Sequence, residues 1–247
     1  MKKIFILLII LLFSLSGFSQ LTNFEIPKGD TLIHIEHLFY NVGYSKEYKQ
    51  SGWVAYHLVP KDTLVVYNKR KSFVKDKMYL GETATNEDYK KSGYDKGHLV
   101  PAADMRFDYY AYIETFFYTN CSPQLPAFNR GKWKTLENWT RGLLKYYKII
   151  YIVTGPILQN QCHTIGKHKV VVPDYFYKVI LGYDGENYSA VAFLMPNKKI
   201  NDNLCNYIVS VNLIESLTKM DLFSELPDDI EKNIESYKNT ELWEKLK

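Results

Sequence analysis

Four polar residues between positions 98 and 141 are of the types that cleave phosphodiesters. His98 can act as a general base, because the unperturbed pKa of histidine lies near neutrality. Asn129 offers an amide oxygen, a ligand type that suits Mg²⁺, and Glu137 can hold water molecules around such an ion. Arg141 can bind a phosphate with its planar guanidinium. Together they predict hydrolysis, which needs a base for the water, positive charge on the phosphate and help for the leaving oxygen.

The same residues also have ordinary structural interpretations. Asp95-Lys96-Gly97-His98 by itself is typical of a polar turn that ends in a solvated histidine, in which the glycine lets the backbone turn tightly or approach a neighbour. Asn129 is suited to the N-terminus of a helix, and Glu137 and Arg141 have the spacing of a helical ion pair worth about 0.2–0.5 kcal/mol. No single one of these motifs therefore decides between the two interpretations.

Three segments taken together resemble the DNA/RNA non-specific endonuclease family, which includes secreted bacterial nucleases and endonuclease G of mitochondria. They are Asp95 to Met105, Ser122-Pro123-Gln124, and Asn129 through Glu137 to Arg141. The resemblance extends over most of the chain, through Thr154-Gly155-Pro156, Val172-Pro173, Phe176 to Val179, Phe193 to Asn197, Ile214-Glu215, Leu217-Thr218 and Asp221-Leu222-Phe223. It implies an α+β protein with the ββα-metal (His-metal finger) fold, in which helices pack on a mixed or antiparallel sheet.

The resemblance implies a role for each residue that matches a family motif. His98 matches the general base, Asn129 the direct protein ligand of the metal, and Glu137 the residue that orients metal-bound water. Arg141 matches an arginine that stabilises the phosphate, and Asn120 an asparagine that organises the site around the histidine. The implied cofactor is a single Mg²⁺ ion, with Mn²⁺ as the alternative.

Two further positions concern the substrate. Arg70 matches an upstream arginine that contacts the substrate. Lys96 stands where the family usually has arginine, so it keeps a charge for catalysis and phosphate binding but lacks the bidentate guanidinium. The implied partners are DNA and RNA, cut to leave 5′-phosphate and 3′-hydroxyl ends, and a homodimer is compatible with the family. Asp95 and Asp104 also match motif positions, where we expect structural roles.

The N-terminal segment is typical of a secretory signal peptide. Two lysines precede an unbroken apolar run from Ile4 to Phe13, and small and polar residues follow up to a cleavage site ahead of Gln20. The apolar stretch is shorter than the roughly 20 residues that a membrane-spanning helix needs. We therefore predict a signal peptide at residues 1–19, a secreted or periplasmic protein and no stable membrane anchor.

The remaining residues, 20–247, are predicted to form a single endonuclease domain. The chain has 247 residues, of which 46% are hydrophobic and 23% charged, proportions that exclude a disordered or collagen-like protein. Its formal net charge is only +4, and two of those charges lie in the predicted signal peptide. Charge alone is therefore a weak argument for a nucleic acid partner.

The cysteines and the remaining histidines give weaker signals. Cys121, Cys162 and Cys205 lack the spacing of a zinc site, and an oxidising compartment leaves both one disulfide and three buried thiols open. His57 lies in an apolar segment and is predicted to be structural. His163 and His168 could join a metal site, but the segment between them is predicted to be a surface loop.

Hydrophobic patterning predicts strands and helices without regular alternation, which favours an α+β domain. The predicted strands are Trp53–Val59, Leu64–Tyr67, Ile149–Thr154, Tyr175–Leu181 and Tyr188–Leu194, the last two joined by a turn at Asp184-Gly185. The predicted helices are Lys132–Arg141, Asn203–Lys219 and Asp228–Lys247, and residues 81–93 are predicted to form a loop.

Three alternatives to an active exported nuclease stay open at this stage. The first is a protein that captures nucleic acid and has lost catalysis, for which Lys96 is the only support. The second is an antibacterial nuclease toxin. The third is a phosphodiesterase for a different substrate on the same scaffold.

Overall fold

Seven strands form the central sheet within the part of the chain that the structure describes. A computed structural model describes residues 25–69, 71–159 and 163–244, so the predicted signal peptide at residues 1–19 lies outside it. Every pair of neighbouring strands is antiparallel. The order across the sheet is β1 (Ile33–Glu36), β2 (Asn41–Ser45), β3 (Gln50–Leu58), β6 (Ile149–Ile157), β9 (Tyr175–Tyr183), β10 (Tyr188–Pro196) and β11 (Ile208–Val209).

Two short antiparallel pairs lie outside this sheet: β4 (Asp95–His98) with β5 (Cys121–Gln124), and β7 (Thr164–Ile165) with β8 (Val170–Val171). The helices are α1 (Asn86–Tyr89), α2 (Tyr109–Glu114), α3 (Pro126–Phe128), α4 (Lys134–Gly142), α5 (Val211–Thr218), α6 (Asp228–Glu235) and α7 (Glu241–Glu244). Among the described residues, no helix has the length and apolar character needed to cross a membrane.

Both faces of the central sheet are covered, which explains why its strands are continuous apolar runs in the sequence. In β3, Val54 and Tyr56 are buried in one core, whereas Trp53 and Ala55 are buried in the other. The first core also contains apolar side chains of α4, and the second contains those of α5 and α6. The sheet therefore separates the layer that carries α4 from the layer that carries the C-terminal helices.

The predicted apolar stripe of the central helix is present and faces the first core. Trp133, Leu136, Leu143 and Tyr147 are all buried. Regular α-helix begins only at Lys134, because the chain is kinked at Gly131, whose φ of −100° and ψ of −119° are not helical.

The α+β class is confirmed, and four of the five predicted strands are present. The strand predicted to stop at Thr154 continues to Ile157, through a Gly-Pro pair. The pairing of β6 with β3 ends at Thr154, so Pro156 needs no N–H donor on that side and pairs in register only with Phe176 of β9.

Other boundaries were wrong, for local reasons. Residues 64–67 are not a strand: they are mostly exposed, and two backbone N–H groups there donate to the Arg106 carbonyl. The predicted loop at 81–93 contains α1. The helix predicted from Asn203 begins only at Val211, because Ser210 caps it by accepting a hydrogen bond from the Leu213 N–H. The last predicted helix breaks after Glu235.

Glu235, at the end of α6, gives a stability prediction. Burial, together with the nearby carboxylates of Glu215, Glu231 and Asp221, raises its pKa from 4.5 to about 8. The contribution of this group to stability is therefore fully present below about pH 4.5 and is lost as pH rises through about 8. We expect Glu235→Gln to raise the thermal midpoint at pH 9 by about 2–4 °C, which corresponds to about 1 kcal/mol in a domain of this size.

Thermal denaturation followed by circular dichroism at pH 5 and pH 9 checks this expectation. The two proteins should melt together at pH 5, where Glu235 is protonated in the folded state. Glu186→Gln, which changes an exposed loop carboxylate, is the matched control. An equal gain for both variants at pH 9 would show that burial of Glu235 is not the cause.

Candidate active site

The predicted site residues lie on β4, β5 and the chain that leads into α4. β4 and β5 pair so that His98 is opposite Cys121 and Gly97 is opposite Ser122. A Cβ atom at Gly97 would lie 2.2 Å from the side-chain oxygen of Gln124, so a larger residue there would force the buried Gln124 side chain to move. β4, β5 and α4 together make the ββα arrangement that the family resemblance implies.

Asn120 holds the backbone that follows the histidine. Its side chain accepts a hydrogen bond from the Val100 N–H at 2.8 Å and donates to the carbonyls of Val100 and Thr115 at 3.0 and 2.8 Å. Its own carbonyl accepts from the Leu99 N–H at 3.1 Å. Since Asn120 is fully buried, it positions the segment after His98 and does not face the substrate.

His98 lies between two aromatic rings and is partly exposed. Its ring centroid is 4.7 Å from that of Phe73 and 5.0 Å from that of Phe116. Lys96 lies two residues earlier on the same side of β4, with its Nζ 5.8 Å from the Phe73 ring centroid and donating to Asn86 Oδ1 at 2.7 Å. The Phe73 ring therefore packs against both the candidate base His98 and the cation of Lys96.

Asp95 orients the candidate metal ligand. Asn129 Nδ2 donates to Asp95 Oδ2 at 2.9 Å, and the Arg130 guanidinium donates to both carboxylate oxygens. The carboxylate can only accept, so this contact assigns the NH₂ group of Asn129 to the Asp95 side. The side-chain amide oxygen of Asn129 is left without a hydrogen-bond donor among the described residues. Asp95 has the structural role predicted for it.

Arg141 pairs with Asp104 rather than with Glu137, its predicted helix partner. Its guanidinium forms an ion pair with Asp104 and donates to Asn138. Asp104 is buried and also accepts a hydrogen bond from the Tyr56 hydroxyl at 2.7 Å. The predicted phosphate-binding arginine is therefore held by a buried carboxylate, while part of its own side chain stays exposed.

Glu137 lies in a charged cluster that sequence reasoning did not identify. Burial raises the pKa of its carboxyl to about 7, and the neighbouring Lys178 opposes that rise. Burial lowers the pKa of Lys178 to about 8, and Glu137 opposes that fall. The sequence carried one signal for Lys178: it is a lysine in the middle of the otherwise apolar strand β9.

The residues present fit a divalent cation held by few protein ligands. The Asn129 amide presents a hard oxygen in a fixed direction, and Mg²⁺ characteristically keeps several water molecules and takes one or two protein ligands. In the described part of the chain, no group of three or more His, Cys, Asp or Glu side chains is arranged to hold a metal. The Asn129 oxygen is therefore the ligand on which the fit depends.

The other sequence candidates lie apart from this arrangement or outside the described residues. Arg70, the predicted substrate contact, is not among the described residues, and neither is Cys162. Cys121 and Cys205 are free thiols, and burial raises the pKa of Cys121 to about 12, which makes it a poor nucleophile although it pairs with His98 across the strands.

The other three histidines that the sequence singled out contact carboxylates or lie beside a hairpin. His57 Nδ1 is 3.2 Å from a Glu25 carboxylate oxygen, which is consistent with a structural role. His168 Nδ1 is 2.7 Å from Asp88 Oδ2. His163 is exposed and precedes β7, so the predicted surface loop is the short β7–β8 hairpin.

Comparison with known proteins gives similarities over most of the chain. The sequence model of the family described as DNA/RNA non-specific endonuclease matches residues 19–229. A mitochondrial nuclease of Saccharomyces cerevisiae is 32% identical over 209 residues, covering 74% of this chain and 63% of that protein. A nuclease of the bacterium Nostoc is also 32% identical, covering 80% of this chain and 75% of its own length.

A solved structure gives the same result. The crystal structure of the complex of EndoG with EndoGI superposes with a TM-score of 0.75 and 28% sequence identity, covering 82% of this chain and 90% of that one. A mitochondrial nuclease of Schizosaccharomyces pombe is 39% identical over 57% of this chain. The chain spans 49% of that relative's length and 51% of the length of bovine endonuclease G.

The names of these relatives contradict one sequence prediction. Nuclease 1 of Schizosaccharomyces pombe, the Saccharomyces enzyme and bovine and human endonuclease G are all named as mitochondrial. The prediction of a secreted or periplasmic protein, which rested on the apolar N-terminal segment, is therefore wrong by this comparison. An N-terminal apolar run is read by targeting machinery rather than by the fold, and the folded domain does not report on it.

Proposed function

Because this chain belongs to the DNA/RNA non-specific endonuclease family, we propose that it is a metal-dependent endonuclease that hydrolyses phosphodiester bonds in DNA and RNA. The observation that carries the proposal is the arrangement of β4 and Asn129. Asp95 at the start of β4 orients the Asn129 amide, and the same four-residue strand ends at the candidate base His98. A single short strand thus couples the position of the base to that of the metal ligand.

His98 takes the proton of the attacking water. The two flanking aromatic rings restrict the imidazole, and the Asn120 hydrogen bonds fix the backbone that follows it. A base held in this way does not have to be reoriented in each turnover, which favours proton transfer. Glu137 accepts hydrogen bonds from water at the site, which its ionised form does best.

Positive side chains attract and orient the phosphate. Lys96 lies beside His98 on β4, and Arg141 is held by Asp104 with part of its guanidinium side exposed. Asn129 would hold the divalent cation through its amide oxygen. When bound, that cation supplies positive charge on the phosphate and eases departure of the 3′ oxygen.

A cleavage assay on the full chain tests the proposal. We expect plasmid DNA and total RNA to be cut with Mg²⁺ or Mn²⁺ and to stay intact with excess chelator. The rate should fall steeply from 50 to 200 mM salt, because non-specific binding rests on phosphate contacts. Clear DNA binding without cleavage in any divalent metal would contradict the proposal and favour a protein that only captures nucleic acid.

A further inference from the structure

Lys178 is a buried lysine to which none of the matched motifs gives a task. It lies in the middle of β9, its side chain is fully buried, and its Nζ has no hydrogen-bond partner among the described residues. Taking an ammonium group out of water without a partner is costly. Leucine or methionine would fill the same buried position without that cost, so the presence of a charge requires an explanation.

The ammonium group lies beneath α4. Its Nζ is 5.2 Å from the ring centroid of Trp133, which lies one helical turn before Glu137. Phe176 and Ile180, two residues away on either side and therefore on the same face of β9, are buried in the core that contains the apolar residues of α4. Lys178 thus approaches the active site from the sheet side.

The charges around Glu137 divide into two pairs. Asp104 and Arg141 form an ion pair with each other. Lys178 lies over the Trp133 ring, and Glu137 follows Trp133 by four residues, so both lie on the same side of α4. The positive charge of Lys178 opposes the rise that burial causes in the pKa of Glu137. Since Arg141 is already bound by Asp104 and Asn138, Lys178 is the countercharge available to Glu137.

We propose that Lys178 is a positioning residue of the active site: its buried charge under α4 favours the form of Glu137 that holds the reacting water. The inference rests on the proposed function, since Glu137 has this task only if the site hydrolyses phosphodiesters. Lys178 touches neither the substrate nor the cation, and it acts through Glu137.

The pH dependence of kcat/KM in the full chain tests this role. Lys178→Met removes the charge and keeps an unbranched apolar side chain. We expect its acidic limb to move up by about one pH unit, with activity at pH 7 falling about fivefold, because less Glu137 is ionised at a given pH. Lys178→Arg should restore most of the loss. Lys134→Met, which removes an exposed and therefore screened cation from α4, should move the limb much less.

A double-variant comparison separates this limb from that of His98. In a Glu137→Gln background the carboxyl at position 137 is absent, so adding Lys178→Met should not move the acidic limb further. An additional shift of the same size in that background would overturn the proposal, as would an unchanged profile in Lys178→Met alone.

Thermal melting without metal or substrate gives a readout independent of activity. The folded pKa of Glu137 is raised, so its stabilising contribution is present at low pH and is lost as pH rises through about 7. We expect the midpoint of Lys178→Met, relative to that of the wild type, to fall as pH rises from 6 to 8, because Glu137 ionises in that range while Lys178 still carries its charge. A merely structural lysine would lower the midpoint equally at every pH, which would overturn the proposal.

The two proposals fail in different ways. If the wild-type chain cuts no nucleic acid in any divalent metal, the proposed function fails, and the melting comparison still reports whether Lys178 and Glu137 are coupled. If the wild type is active and Lys178→Met has the same pH profile, only the role of Lys178 fails. Lys178→Gln, which keeps a polar group, provides the same comparison should the methionine variant not fold.

Discussion

His98→Ala is expected to lower the rate of DNA and RNA cleavage by about 10²–10⁴-fold, the range attributed to a well-placed general base. The loss should appear in kcat, because the imidazole acts on the attacking water and contributes little to holding the phosphate chain. Single-turnover cleavage of a labelled oligonucleotide in saturating Mg²⁺ measures it directly. Binding of the same oligonucleotide in chelator should change by less than about twofold, since phosphate contacts from other residues supply that affinity.

His163→Ala is the matched control for this variant, because His163 is an exposed histidine ahead of the β7–β8 hairpin. It should cleave at the wild-type rate. The His98 ring packs against Phe73 and Phe116, so a melting curve should accompany the kinetics to show that the alanine variant is folded. A folded His98→Ala protein that keeps more than about a tenth of the wild-type rate would exclude His98 as the base.

Asn129→Ala should raise the Mg²⁺ concentration for half-maximal activity at least about tenfold and lower the maximal rate about 100-fold, because the variant lacks the amide oxygen proposed to bind the cation. Asp95→Ala removes the group that orients this amide, so it should produce a smaller change of the same kind. Mg²⁺ titration of the cleavage rate and calorimetric titration of Mg²⁺ measure the two effects.

Asn187→Ala, in the exposed turn between β9 and β10, is the control for the loss of an asparagine. Its Mg²⁺ dependence should match that of the wild type. If Asn129→Ala loses activity while its Mg²⁺ dependence and binding stay unchanged, Asn129 is not the ligand, and its bond to Asp95 is only structural.

Much of the site was predictable because its parts lie in short local motifs. His98 follows a glycine that packs closely against the neighbouring strand. Glu137 and Arg141 lie one turn apart on α4, and Asn129 lies in the short segment that leads into it, so these spacings are set locally. The strands β9 and β10 and their turn were predictable for the same reason, since a hairpin is a local structure.

Boundaries failed where the deciding contact comes from elsewhere in the chain. β6 passes through Pro156 because β3 stops pairing two residues earlier, and nothing in the local sequence announces where a neighbouring strand ends. Residues 64–67 have the composition of a strand, yet their backbone N–H groups donate to the carbonyls of Lys61 and Arg106 rather than to a neighbouring strand, and they are mostly exposed.

The sequence by itself determined the family, the α+β class, the candidate base, the candidate metal ligand and the carboxylate that would orient water, because those residues form motifs with characteristic spacing. Only the tertiary structure decided how they are supported: Asp95 orients Asn129, Asp104 rather than Glu137 pairs with Arg141, and Lys178 lies over the Trp133 ring at the start of α4. The physical reason is that the energy of a charge depends on its burial and on neighbours that are distant along the chain. Lys178 is 41 residues from Glu137 in the sequence, and only the packing of β9 under α4 brings the two charges onto the same side of that helix.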